Sequence, residues 1–180
     1  MVNNNNSNKL SKVEFAKQME TLKAFYIQWK LDLDNAMVQK LWYSVFENLS
    51  DMEFKNLIMD YCMNNVYPPQ SPTHLIEHRK SMVLRLHLSG EQAWEVAYSK
   101  VKEHGFDIQR TADYFTKNGE EEIGNSLLEI RGQFNGLQTD SVVYVRKDFI
   151  PIYERNLNKK VNQQVMIGYQ TDTLKLGESK

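Results

Sequence analysis

The stretch Ser50-Asp51-Met52-Glu53-Phe54-Lys55-Asn56-Leu57-Ile58-Met59-Asp60-Tyr61-Cys62 decides the fold class. Ser50 and Glu53 have the Ser-x-x-Glu spacing of a capping box, in which each side chain satisfies an amide orphaned at a helix start. Behind the cap, Phe54, Leu57, Ile58, Tyr61 and Cys62 recur every three or four residues. That period puts them on one face of a helix, and the face needs an apolar surface to cover it.

The same grammar extends in both directions. Upstream, Ser11 and Glu14 repeat the cap, and Phe15, Met19, Leu22, Phe25, Tyr26 and Trp29 form the stripe of a first helix. Asp32 or Asp34 is predicted to cap a second helix with Val38, Leu41, Trp42, Val45, Phe46 and Leu49 inward. Downstream, the run Val66-Tyr67-Pro68-Pro69-Gln70-Ser71-Pro72-Thr73 breaks the pattern, because paired prolines cannot continue a helix. Ser71-Pro72 then reads as an N-cap with proline at the first helical position, opening a fourth helix through Leu75, Ile76, Arg79, Val83 and Leu86. Residues 9–88 are thus predicted to form an N-terminal four-helix bundle.

A smaller C-terminal helical region is expected over 89–167, making the chain all-α. Ser89 and Gln92 allow another capping box, ahead of Ala93, Trp94, Val96, Ala97 and Val101, and Gly105 marks the stop. Short helices are predicted near 108–115 and 120–130, separated by Asn118-Gly119. Asp140 can cap a last long helix through Val145, Phe149, Tyr153, Leu157, Val161 and Val165. Pro151 interrupts it and is expected to kink or split it, since a continuous helix would lose about 3 kcal/mol there. The Asn/Ser-rich residues 1–8 read as a disordered arm and residues 168–180 as a flexible tail.

Composition narrows the function. Across 180 residues, 22 Lys+Arg face 23 Asp+Glu, for a formal net charge of -1. A polybasic DNA binder needs a cationic excess, so direct nucleic-acid binding is not expected. The single cysteine excludes an internal disulfide framework and fits a reducing compartment. No apolar run reaches the length of a membrane span, and the N-terminus lacks the apolar core of a signal peptide. These features predict a soluble cytoplasmic protein. Charge is unevenly spread: residues 89–140 carry five basic and ten acidic side chains, and 141–180 carry seven and four. The last helix is therefore where an acidic partner surface is expected to dock.

His74-Leu75-Ile76-Glu77-His78 matches the H-x-x-E-H pattern of inverted zinc peptidases, with two histidines four apart and a glutamate as general base. Leu75 and Ile76 lie on the inward stripe, which turns His74 and His78 toward a solvated flank, and no third ligand announces itself. The solvated-face reading is preferred, and no metal is expected. Cys62 sits on a helical stripe and reads as a buried structural thiol. Neither a Walker loop nor a dinucleotide fingerprint is present. No cofactor and no catalytic role are expected.

The residues carry a likeness. An aromatic-rich first helix, Leu41-Trp42-Tyr43, Phe54 with Tyr61, and Tyr67-Pro68-Pro69 before a fourth helix resemble a phage family that loads and inhibits the bacterial DnaB-type replicative helicase. Ala93-Trp94, with Val101 before Gly105-Phe106, is similar to the family's Ala-Trp helix. Arg146-Lys147-Asp148-Phe149-Ile150-Pro151-Ile152-Tyr153 looks like its late Arg-x-x-Phe-x-x-x-Tyr element. The likeness runs over about residues 9 to 155. It departs from the family pattern where Gln70-Ser71-Pro72 intervene between the paired prolines and Thr73, and where Pro151 enters the late element.

The resemblance implies an adaptor without catalysis of its own, working in the host bacterial cytoplasm. It would hold the helicase idle and deliver it to the origin with a phage initiator. It places the helicase contact in the C-terminal part, on Arg146, Phe149, Tyr153 and Arg155. For Phe149 and Tyr153 two readings stand: they face the partner, or they dock their own helix onto the second unit. A helical DNA-binding initiator and a zinc hydrolase using His74, Glu77 and His78 are the alternative functions.

Overall fold

The computed structural model describes residues 9–135 and 141–166. Every regular element among them is helical: α1 (Lys12–Phe25), α2 (Ala36–Phe46), α3 (Asp51–Asn64), α4 (Pro72–Leu84), α5 (Gly90–Glu103), α6 (Ile108–Lys117), α7 (Glu121–Glu129), a 3-10 turn (Arg131–Phe134) and α8 (Val142–Met166). They fall into two compact units. One takes in the described residues up to Met82 together with Val165 and Met166; the other is Val83–Gln164. The division comes a few residues before the expected 88/89 boundary. The segment after α4 is tied to the second unit, where the Leu88 carbonyl accepts the Tyr153 hydroxyl at 3.0 Å.

In the first unit, the box at α3 forms in full: Ser50 Oγ accepts from the Glu53 amide, and the Glu53 carboxylate accepts from the Ser50 amide at 2.8 Å. At α1 the box is completed across the fold. Ser11 Oγ accepts from the Glu14 amide, but the Ser11 amide donates to Asp51 Oδ1 at 2.6 Å rather than to Glu14. α2 is capped by Asn35, whose side-chain oxygen takes the Met37 and Val38 amides, not by Asp32 or Asp34. Asp32 instead closes a local turn by accepting from the Asp34 amide.

The Ser11–Asp51 bond joins the starts of α1 and α3, and the Tyr26 hydroxyl on the Asn65 carbonyl (2.8 Å) joins their ends, so these two helices run parallel. The Leu10 amide donates to the Glu47 carbonyl, which sets α2 antiparallel to both. Phe15 stacks on Phe54 with ring centroids 5.5 Å apart, and Phe46 meets Phe54 at 5.3 Å. The expected α3 stripe is buried throughout, whereas Phe25 and Leu41 are exposed. α1 ends at Phe25, and the chain turns there to bury Tyr26 and Trp29. Trp29 meets Trp42 edge-on at 5.8 Å. α4 begins at Pro72 as expected and buries Leu75, but Leu86 lies beyond it and is exposed.

The second unit starts with a full Ser89–Gln92 box on α5. Gly105 takes a φ of 65° to end that helix, and Phe106 follows with the same sign, its amide bonding the Val101 carbonyl. α6 and α7 form a hairpin around Gly119 (φ 79°). They approach so closely at Gly124 that a Cβ there would stand 2.8 Å from the Ala112 carbonyl oxygen. α8 runs unbroken through Pro151, so of the expected kink or split the split does not occur. Pro151 and Lys147, whose carbonyl the proline leaves without its helical donor, are both exposed, so water can take up the freed carbonyl. On the other side Val145, Phe149, Tyr153, Leu157 and Val161 are buried and hold the helix together. The Asp140 cap, the arm at 1–8 and the tail at 168–180 lie outside the described residues.

Trp42→Ala is expected to destabilise the first unit by about 3–5 kcal/mol, seen as a large drop in its denaturant midpoint. Gly124→Ala should destabilise the second unit by about 1–3 kcal/mol through overpacking against backbone, even though alanine is the better helix former by about 1 kcal/mol. Urea titration of the variant reads the sign directly.

Candidate functional site

α8 carries the four residues singled out from the sequence, and its burial pattern divides them. Phe149 is 0 % and Tyr153 1 % exposed. Phe149 lies over Tyr153 with centroids 6.0 Å apart and meets Trp94 of α5 at 5.4 Å. The two rings are core residues, which favours the second of their two readings, that they dock their own helix onto the second unit. Arg146 and Arg155 are exposed, and each reaches a carboxylate of its own chain, Arg146 to Glu91 and Arg155 to Glu129. At the solvent face of the same helix Tyr144, Lys147, Pro151 and Arg155 line up, with Tyr144 72 % exposed.

A polar network beside this face fixes α7 to α8. Glu122 is buried, and Lys160 Nζ reaches its Oε2 at 2.6 Å and the Gly119 carbonyl at 3.1 Å. His87 Nδ1 stands 3.5 Å from the other Glu122 oxygen. A buried carboxylate needs such partners to stay in its place. Asn156 Nδ2 donates to Ser126 Oγ and to Glu129 Oε1, both at 3.1 Å. The Asn156 amide, then the Arg155 guanidinium, holds the Glu129 carboxyl below its ordinary value. Burial, followed by the nearby Glu122 charge, pushes the Tyr153 phenol up to about 12. A shallow polar groove of about 520 Å³ opens here between Glu121, Asn125, Lys159 and Gln163.

The H-x-x-E-H segment opens α4 but its members part company. His74 is exposed and its Nδ1 accepts the Gln70 amide at 3.1 Å. Glu77 pairs with Lys80. His78 is not on a solvated flank: its side chain is 11 % exposed, with Tyr61 edge-on at 5.1 Å. Asn65 Nδ2 donates to His78 Nδ1 (3.2 Å), which leaves the proton on Nε2 to donate to Asp60 Oδ2 at 2.6 Å. His78 is thus a tie between α3 and α4. Among the described residues no three His, Cys, Asp or Glu side chains gather in metal-holding geometry, and no helix is long and apolar enough to cross a membrane.

No protein-family model, curated protein or solved structure matches this chain. The arrangement itself is therefore the ground for a functional reading. Two parts of it escaped the sequence. Glu122 looks like one of three solvated glutamates in a row, and its cation lies 38 residues on, at Lys160. Tyr144 precedes the inward stripe and was legible only as an aromatic out of phase with Val145 and Phe149.

His78→Ala is expected to cost about 1–3 kcal/mol by removing the bonds that tie α4 to Asp60 and Asn65, whereas His74→Ala should stay within about 0.5 kcal/mol. Separate denaturation curves distinguish them. Stability should also fall as pH rises from 10 toward 12. Tyr153 and Tyr26 are both held neutral in the fold, each raised from 10.0 to about 12, so the unfolded chain ionises first. Tyr153→Phe should flatten that alkaline decline, measured as melting temperature against pH.

Proposed function

We propose that this chain is a non-catalytic interaction factor of phage DNA replication. It binds the bacterial DnaB-type replicative helicase, holds it inactive and passes it to an origin-bound initiator. In this reading α1–α4 serve as a four-helix bundle available to the initiator, and the C-terminal region carries the helicase contact. The observation that supports it is where the two downstream pieces of the family-like pattern lie. The Ala93-Trp94 helix and the Arg146-to-Tyr153 element, some fifty residues apart, meet in one core through Trp94, Phe149 and Tyr153.

Phe149 and Tyr153 then act as the support of α8, and the contact passes to its solvent face: Tyr144, Lys147 and Arg155, with Arg146 beside them. Tyrosine and arginine are the residue types that dominate interface energetics. The arginines already hold carboxylates of their own chain, so an acidic helicase surface can exchange for Glu91 and Glu129 at little electrostatic cost.

Purified helicase immobilised on a sensor is expected to capture the full chain, and the chain to slow ATP-driven unwinding. Tyr144→Ala with Arg155→Glu should weaken capture at least about tenfold, equivalent to roughly 1.4 kcal/mol, with helical content unchanged. Absence of capture at high micromolar concentration would sink the reading, and capture untouched by the double variant would remove the contact from α8.

A further inference from the structure

One pole of the first unit brings exposed apolar residues from two turns close together. Phe25 ends α1 and Ile27 lies in the turn after it, and Met63, Val66 and Tyr67 sit at the end of α3 and in the following turn. Their exposures are 57, 91, 80, 85 and 78 %. One hydrogen bond brings the turns together, Tyr26 Oη donating to the Asn65 carbonyl at 2.8 Å, and Tyr61 Oη of α3 holds the second turn by donating to the Tyr67 carbonyl at 3.3 Å. Isolated exposed apolar side chains are ordinary, but a gathered patch of this size on one surface marks an interaction site.

We propose that this pole is where a second copy of the chain docks. Charge selects the occupant. Residues 24–29 and 61–73, which supply the patch, contain no Asp, Glu, Lys or Arg. A phosphate backbone, an anionic membrane or a charged protein face would find no charge among these residues to pair with; the exposed charges nearest in sequence, Lys23 and Lys30, stand outside them. In a two-fold dimer each patch meets itself, so any charge near the axis faces its own kind; a charge-free apolar patch is self-complementary without further design. The area fits as well. With roughly 150–250 Å² for an aromatic side chain, Phe25 and Tyr67 alone leave about 200–300 Å² open, and Ile27, Met63 and Val66 add to it, toward the ~800 Å² that each partner gives to a standard interface. The inference is independent of the helicase reading, whose contact lies on α8.

Sedimentation velocity of the full chain, from low to high micromolar concentration, tests it. A dimer is expected, with Val66→Glu and Ile27→Glu each weakening self-association at least about tenfold while far-ultraviolet circular dichroism and melting temperature stay put. Both positions are open to solvent, so neither variant threatens the fold. A chain that stays monomeric throughout overturns the proposal, as does a dimer indifferent to both substitutions. A monomer whose capture by the helicase is lost in Val66→Glu also overturns it, by giving the pole to that partner.

Discussion

A phenol taken wholly or half out of water needs an acceptor for its hydroxyl, and this chain meets that demand the same way four times. Tyr43 donates to the Leu10 carbonyl, Tyr26 to Asn65, Tyr61 to Tyr67 and Tyr153 to Leu88. Every acceptor is a main-chain carbonyl outside the helices, in a segment that has no ladder of its own. The rings supply apolar burial to the cores, and the hydroxyls bond main-chain carbonyls of the connections. The segment before α1 is thereby fixed to α2, the connection between α3 and α4 to α3 and to the turn after α1, and the connection between α4 and α5 to α8. Caps, prolines and glycines set where the helices end, and these bonds set how the connections lie against the helices.

How much of this was legible in the sequence depends on whether the signal is local. The Ser50–Glu53 and Ser89–Gln92 boxes and the buried stripe of α3 came through, because caps and periodicity act within a few residues. Asn35 outcompeted Asp32 and Asp34 as a cap because Asp32 was already engaged with the Asp34 amide, a choice three neighbouring acceptors leave open. Pro151 was expected to break α8, but the cost falls on its solvent side and the buried stripe continues past it. His78 turned inward because Asp60 and Asn65, 18 and 13 residues away, offered it partners. Periodicity says which residues share a face. It cannot say whether the chain itself or another molecule covers that face, and this is why Phe149 and Tyr153 could be read either way.

α8 illustrates how a single helix can separate scaffold from surface. Its inner side closes the second unit with stacked rings, and its outer side shows tyrosine and cationic heads whose guanidinium groups rest on nearby carboxylates. Substitutions on the two sides should be judged by different measures, stability for the first and partner affinity for the second. The buried Glu122 with Lys160 and His87 belongs to the scaffold, holding α7 in register against α8.

Asn65 is the junction of the first unit. Its carbonyl takes the Tyr26 hydroxyl from the turn after α1, while its side-chain amide donates to Tyr61 of α3 and to His78 of α4. The exposed residues on either side of it, Ile27 in one turn and Val66 in the next, are therefore mounted on backbone already held from three directions. Ordering a loose loop on contact forfeits conformational entropy before any attraction is realised. A surface fixed in advance avoids most of that loss, so even a small apolar contact at this pole keeps more of its gross free energy as net affinity.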